Sequence, residues 1–353
     1  PGTAVPGLFA GITYVEPVTM LTTDLVERVL TTIPGKTVGL LGDLFLDRYL
    51  DIDPARDEPS VETGLTAYQV VGVRSYPGAL GTVLNNLAAL GVGRIVPVAA
   101  IGDDGEGYEL RQALGRVPAV DATHVFAAPG RRTPTYTKPM YGVKELNRLD
   151  IKNRTPTPAA VEDDILARLD AVWPTVEALI VLDQVSEADC GVVTARVRDR
   201  LAELGDRDPS KFVLADSREQ IGKFRNVCVK PNEAEFVEMV KHSHPIKNPI
   251  TSTRTVFATM GMLGIRFLPA GMTFGETRGG HIPGYPVTGP IDICGAGDSC
   301  SAGITSAVVS GLTHEQAAAF GNLVASITIQ QIGVTGTSTP EQVRARWKAV
   351  SGQ

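Results

Sequence analysis

"DICGAGDSCSAGI" (residues 292–304) sets three glycines and four residues of alanine or serine size around two aspartates, Asp292 and Asp298. Gly295-Ala296-Gly297-Asp298 heads the helical run "SCSAGITSAVVSGL". Glycines at a helix start let the backbone turn its N–H groups toward one point, and the helix end adds partial positive charge. An anion would be held there without any side-chain cation. Asp298 then has two readings. It is either an N-cap accepting backbone N–H bonds, worth about 0.5–2 kcal/mol, or a general base beside a bound phosphate, taking the proton of an attacking hydroxyl. The Ala and Ser residues that follow suit a helix packed closely on a neighbour.

Upstream, short apolar runs alternate with helix-like segments. "TVGLLGDLFL", "RIVPVAAIG", "ALIVLD", "KFVLADS" and "RTVFATMG" read as buried strands ending in Gly, Asp or Ser. "TVLNNLAALG", "GYELRQALG", "VVTARVRDRLAELG" and "PNEAEFVEMVKH" carry apolar residues at helical spacing. This alternation predicts a mostly parallel sheet with helices on both faces. Ligands of such sheets sit outside the carboxyl ends of the strands, where the Asp, Gly and Ser residues fall. Residues 51–76 and 121–150 break the pattern. Rich in Thr, Tyr, Val and turn residues, they predict short antiparallel strands forming a flap over the ligand edge. "TPEQVRARWKAVSGQ" predicts a capped closing helix with a frayed tail over 346–353.

Bulk properties remove several function classes. The chain has 353 residues, 43% hydrophobic and 20% charged, which suits a globular protein with a sizeable core. No run of about 18 apolar residues suggests a membrane span. A net charge of −6 without a dense Lys/Arg tract argues against a nucleic-acid partner. The start has neither Met nor a basic region before an apolar core, and is expected to be a processed or expression-derived end, not a signal peptide. Cys190, Cys228, Cys294 and Cys300 form no C-x-x-C pair, so a disulfide framework or zinc site is not expected and a cytoplasmic location fits best. Walker A, G-x-G-x-x-G, H-E-x-x-H and G-x-S-x-G motifs are all missing.

Two further patches share the ambiguity of the first. In "KPNEAEF", Asn232 and Glu235 are spaced as a capping box, or as polar ligands of hydrated Mg²⁺, which keeps several waters and needs only one or two carboxylates. In "GDLFLDRYLD", alternation sets Asp43, Phe45, Asp47 and Tyr49 on one face. A row with two carboxylates is either a solvated strand end or a site for sugar hydroxyls.

Taken together, these residues resemble the ribokinase and phosphofructokinase-B family of carbohydrate kinases, from about residue 36 to 345. The D-x-x-G-A-G-D-S stretch at 292–299 is similar to the family's C-terminal signature, and "YPGALGTVLNNLAALG" (76–91) to its N-terminal glycine motif. "IGDDGEG", "KPNEAE" and "ATMGMLG" follow in family order. Within the family, "GDLFLDRYL", "TPTYTKPMYG" with "NRLD", and "KPNEAEF" look most like the domain that phosphorylates heptose 7-phosphate. The nucleotidyltransferase that follows it in bifunctional members has an H-x-G-H motif. None occurs here, so that second activity is expected to be absent.

The resemblance implies an α/β, ribokinase-like three-layer sandwich with a small β-sheet lid. An N-terminal extension would occupy 1–35, the kinase domain 36–345, and the lid about 51–76 and 121–150. It implies ATP and Mg²⁺ as cofactors and a small-molecule sugar substrate; separately, exposed β flaps can pair edge to edge, so a homodimer through the lid is expected. Asp298 would be the base. Gly295, Ala296 and Gly297 would form the anion hole. Asp47, Gly78 and Thr82 would face the sugar, and Thr259, Gly261, Gly264 and Asn322 the nucleotide. Asn232 and Glu235 would hold Mg²⁺ through water, and Asp292 would border a monovalent-cation site suited to K⁺. Arg132, Lys138 and Arg148 are flap cations that either meet a phosphorylated substrate or face solvent.

There are departures. The family's Gly-Gly is Gly78-Ala79, its sugar-binding Asn falls on Thr82, "KPN" replaces "TPN", and Ile293-Cys294 stand where Thr is common. A nucleoside or other small-alcohol kinase of the same fold, and a non-catalytic sugar- or nucleotide-binding regulator, are therefore the alternatives to a sugar kinase.

Overall fold

The protein is described by a computed structural model covering residues 20–241, 254–271 and 280–352. Among these residues the apolar runs assemble a nine-stranded sheet in the order β16-β15-β14-β13-β12-β11-β1-β6-β7. Its central strands are β1 (Thr37–Gly42), β6 (Arg94–Ile101), β11 (Ala178–Asp183) and β12 (Phe212–Ser217). The outer ones are β7 (Val125–Ala127), β13 (Cys228–Val229), β14 (Val256–Thr259), β15 (Ile265–Leu268) and β16 (Gly280–Ile282). Pairing is parallel from β7 through β14 and antiparallel at β15 and β16.

Burial explains why the central strands read as unbroken apolar runs. Successive side chains point to opposite faces, and both faces are covered. Val38, Leu40, Ile180 and Leu214 join one core, with helices α2 (Leu80–Leu90), α7 (Ala296–Val309) and α8 (His314–Thr328). Leu41, Leu179, Val181 and Val213 join the other, with α4 (Ala159–Val172), α5 (Ala195–Arg207) and α6 (Glu233–Lys241). In α7 the small residues Ala302 and Ala307 are fully buried in the first core, together with Phe320 of α8. The close packing expected of that helix is present.

The second sheet runs β10-β8-β2-β5, from β10 (Leu149–Ile151), β8 (Thr135–Tyr141), β2 (Leu44–Ile52) and β5 (Val70–Ala79). β9 (Lys144–Glu145) pairs with β8, and β3 (Glu58–Pro59) with β4 (Thr66–Ala67). It departs from the expected flap in three ways. Its first strand begins at Leu44, not 51, because Leu44 and Leu46 are buried and continue the apolar run. β2 and β8 pair in parallel. Within 121–150, β7 belongs to the large sheet.

Both chain ends of the expected kinase domain are also redrawn. Helix α1 (Thr23–Thr32) buries Val26, Val29 and Leu30, so residues 23–35 are part of the core and no separate extension. Helix α9 (Pro340–Ser351) runs through the expected tail and buries Trp347, whose indole N–H donates to Thr23 at 3.0 Å. A capping box of Thr339 and Gln342 starts α9, as the sequence predicts.

The lid is anchored by its back face. Arg48 of β2 reaches Glu109 at 2.6 Å and Glu106 at 3.4 Å on α3 (Gly105–Leu114). Alternation then turns Asp47 and Tyr49 the other way, toward the carboxyl edge of the large sheet.

Candidate active site

Gly295 is the N-cap of α7 with φ +76°, a left-handed conformation that glycine adopts without strain. A Cβ there would stand 2.5 Å from the Thr335 methyl and 3.3 Å from that of Thr82. The cap thus joins the end of the chain's last loop to the start of α2. Of the three residues expected to form the anion hole, Ala296 already donates its N–H to the Ile293 carbonyl at 3.1 Å. Asp298 lies in the first turn of the helix but is not its cap residue. Its carboxyl is pushed up to about 7, first by burial and next by the negative charge of Asp216, against the pull of Lys230. A carboxyl poised near neutrality suits a proton acceptor better than a cap.

Lys230 and Asp216 are the charged centre beside it. Lys230 is buried and its ammonium lies 2.7 Å from Asp216. The same nitrogen is 3.4 Å from where a Cβ on Gly297 would stand, so it underlies the glycine turn. Glu235 is raised to about 7 by burial, with Asp216, Lys230 and Arg218 among the charges it feels. Glu235 and Asn232 close a reciprocal capping box: the Asn232 N–H donates to Oε2 at 2.7 Å, and the Glu235 N–H to Oδ1 at 3.0 Å. The capping reading of this pair holds, inside an acidic and basic cluster that a cap does not need. Sequence reasoning missed Asp216 and Arg218. Their signal was "ADSR" closing an apolar strand run at the ligand edge.

The acceptor side is built by the lid and α2. Gly78 approaches Asp47 so closely that a Cβ would lie 2.5 Å from Oδ2. Ala79, standing where the family has its second glycine, adopts φ +50°. Burial raises Asp47, and Lys138 and Arg148 lower it in part. Tyr49 stands edge-on to Tyr76 at 6.0 Å, with Lys138 4.9 Å from its ring centre. Asp47, Tyr76, Thr82, Asn86 and Thr335 line one cleft with about 590 Å³ of empty volume, counting its mouth.

Asp43 does not share a row with Asp47. It falls between β1 and β2, where its carboxylate accepts N–H bonds from Gln184, Val185 and Val192 at 2.7–3.1 Å. The alternation argument fails because the strand breaks at this residue. Of the flap cations, Arg132 is spent on Asp104 and Glu106, and Arg148 on Asp150. Lys138 alone of the three lies beside Asp47 without a carboxylate partner among the described residues.

The residues expected at the nucleotide form a second group. Thr259 ends β14 and bridges to Asn232. Gly261 and Gly264 close the following turn, with φ +55° and +92°. A Cβ on Gly264 would meet the Ile282 carbonyl at 2.2 Å, so packing alone demands glycine there. Asn322 is buried and gives its amide to the Ile282 and Pro283 carbonyls at 3.1 Å. Its visible work is to fix the end of β16. Asp292 accepts from the Cys294 N–H at 3.0 Å and the Gly333 N–H at 3.1 Å, tying the signature to the last loop. No cluster of three or more His, Cys, Asp or Glu among the described residues could hold a metal by itself. The four cysteines are free, and no described helix is long and apolar enough to cross a membrane.

Residues 47–342 match the model of the pfkB family carbohydrate kinases. The bifunctional protein HldE of Trichlorobacter lovleyi is 28% identical over 318 residues, covering 87% of this chain and 62% of that protein. HldE of Geotalea uraniireducens is 28% identical over 330 residues, covering 91% and 64%. The chain thus spans less than two thirds of these relatives. Among solved structures, Arabidopsis thaliana ribokinase complexed with ribose and ATP superposes with a TM-score of 0.61 at 16% identity, over 89% of this chain and 99% of that one. A putative ribokinase II from E. coli in complex with ATP and Mg²⁺ gives the same TM-score, identity and coverage. These likenesses show a ribokinase-like α/β fold.

Proposed function

The chain belongs to the pfkB family of carbohydrate kinases, and on that premise we propose that it transfers the γ-phosphoryl group of ATP to a hydroxyl of a sugar phosphate of the heptose 7-phosphate class. The observation that carries this reading is Asp298, a half-buried carboxyl raised to about 7 in the first turn of a glycine-led helix. Asp298 takes the proton as the acceptor oxygen bonds to phosphorus and the bond to the ADP oxygen breaks. The N–H groups of Gly295 and Gly297 face the developing charge, and Ala296 joins them once its turn bond to Ile293 opens. Lys230 supplies positive charge under the same turn. Asp47 orients the acceptor hydroxyls, and Gly78 leaves that carboxylate room. The lid above them excludes water.

Glu235 and Asn232 fit a hydrated Mg²⁺ ion: their cap uses Oε2 and leaves Oε1 to accept from a metal-bound water. Magnesium, when bound there, offsets the charge of the donor phosphates. Thr259 and Gly261 border the donor nucleotide, and Asp292 shapes the loop for a monovalent cation. We place the enzyme in the cytoplasm, where its donor is abundant, as a dimer joined through the lid.

The cleft tyrosines bear on the alternatives. Tyr49 and Tyr136 are each covered by cations, Lys138 and Arg74 over one and Arg148 over the other. Cations over both rings occupy faces on which a nucleoside base would stack, which weighs against the nucleoside reading. An ADP-release screen over heptoses, hexoses and pentoses, each with and without a terminal phosphate, tests the reading. Release with phosphorylated heptose supports it. Release only with nucleosides, or sugar binding with no release, replaces it.

A further inference from the structure

Asp43 stands between β1, which ends at Gly42 in the large sheet, and β2, which starts at Leu44 in the lid. It is 3% exposed, and every polar group it carries is used. Its N–H donates to the Leu182 carbonyl near the end of β11, at 3.1 Å. Its carbonyl accepts the Leu80 N–H at 3.0 Å, where β5 leaves the lid and α2 begins. Oδ2 accepts the N–H groups of Gln184 and Val185 at 2.8 and 3.1 Å, and Oδ1 that of Val192 at 2.7 Å. One residue thus joins the large sheet, the roots of both β2 and β5, and the loop that follows β11.

A buried carboxylate is costly unless hydrogen bonds satisfy it, and a connection between two strands does not require one. Three converging N–H groups require a group that only accepts. A Cβ on Gly191 would stand 2.6 Å from Oδ1, so the loop reaches the carboxylate only through a glycine. Thr157 fixes that glycine by donating its hydroxyl to the Gly191 carbonyl at 2.7 Å, and Arg131 donates to the neighbouring Cys190 carbonyl.

This joint bears on the acceptor side. Loop 184–192 faces Phe45 and Tyr136 of the lid across a cleft, and those two rings meet edge to face at 5.2 Å. Asp47 is paired in register with Tyr136 on β8 and with Tyr76 on β5. Its position is therefore set by β2 and β5, whose roots meet at Asp43. The donor-side residues Thr259, Gly261 and Asn322 lie on β14, the turn after it and α8.

Resting on the kinase reading above, we propose that Asp43 is a positioning residue for the acceptor: its carboxylate locks the loop after β11 to the root of the lid, and so fixes Asp47 against the acceptor hydroxyls. Asp43 acts through these elements and touches neither the acceptor nor ATP. Asp43→Asn keeps the size but turns amide hydrogens toward N–H donors, which frees part of the loop and lets the lid root shift. A small misplacement of this kind weakens acceptor binding and rate while the donor site stays as it was.

Steady-state kinetics with heptose 7-phosphate and hydrogen exchange of the free protein test this in the wild type, Asp43→Asn, Thr157→Val and Glu177→Ala. Asp43→Asn should lower kcat/KM for the acceptor at least about tenfold, chiefly through KM, with KM for ATP within about twofold of the wild type. Amide exchange should quicken at 184–192 and also at the lid root, 44–47 and 78–80. Thr157→Val removes one tie to Gly191 and leaves the carboxylate in place. It should move both readouts the same way by less, and it decides the matter if Asp43→Asn does not fold. Glu177 accepts the Thr37 N–H at 2.7 Å at the opposite end of β1, so Glu177→Ala should lower stability alone. Faster exchange confined to 184–192, an equal loss for acceptor and ATP, or kinetics matching those of Glu177→Ala overturns the positioning role. Failure of the wild type to turn over heptose 7-phosphate overturns the substrate reading instead, and the exchange pattern then decides whether Asp43 joins loop and lid.

Discussion

Buried Lys230 pairs with half-buried Asp216 at 2.7 Å, and the lysine nitrogen comes within 3.4 Å of where a Cβ on Gly297 would stand. The pair is therefore structural and electrostatic at once. Lys230→Met leaves Asp216 unpaired and should cost about 3–5 kcal/mol of stability, read by denaturant unfolding. Lys230 lowers the Asp298 pKa while Asp216 raises it. The same variant should thus move the acid limb of the pH–rate profile upward. A variant that is destabilised while its acid limb stays put would limit Lys230 to a structural role.

Asp298, Glu235 and Asp183 are each held at about 7, chiefly by burial. Unfolded carboxyls titrate near 4. Groups raised in this way favour the folded state fully below about pH 4, and that contribution is lost as pH rises to about 7. Between pH 5 and 8 these three groups should make the free protein less stable. Turnover should rise over the same range as Asp298 loses its proton. Thermal unfolding and initial rates on one buffer series check both trends, and a parallel rise would contradict the account.

The glycine motif at the start of α2 makes two opposite predictions. Gly78→Ala would place a Cβ 2.5 Å from Asp47 Oδ2, so the acceptor KM should rise and stability fall by about 1–3 kcal/mol. Ala79 is held at φ +50°, strain of about 1–3 kcal/mol for a residue with a Cβ. Ala79→Gly should relieve it and, after the entropy glycine loses on folding, stabilise the protein by about 1 kcal/mol. Denaturant midpoints decide both.

The free edge of the lid carries the assembly prediction. Among the described residues β5 ends its sheet, and Val71 and Val73 on it are 54% and 59% exposed. A bare apolar edge invites pairing with a second copy. Light scattering should give a dimer for the wild type and a monomer for Val71→Lys/Val73→Lys. A wild-type monomer at micromolar concentration would contradict it.

Much of this architecture was legible because the signals were periodic. Strands such as "ALIVLD", buried on both faces, and helices ending in glycine could be read without a partner in view. Asp298, Gly295 and Asp47 stood out through the family resemblance; their spacing alone left Asp298 between a cap and a base, and Asp47 between a solvated strand end and a sugar site. What escaped depended on distant contacts. Asp43 looked like a partner of Asp47 until loop N–H groups from β11 onward claimed it. Arg132 looked free until α3 supplied Asp104 and Glu106. Lys230 stood out only as an odd residue before "PN", because its partner Asp216 comes from another strand.

The central claim is that Asp298 is the base and not merely a helix-end residue. Asp298→Asn keeps the shape and removes the proton acceptor. The account predicts a fall in kcat of about 10²–10⁴-fold, with ATP–Mg²⁺ binding still measurable by calorimetry and the folded state intact. Turnover at the wild-type rate in this variant would contradict it.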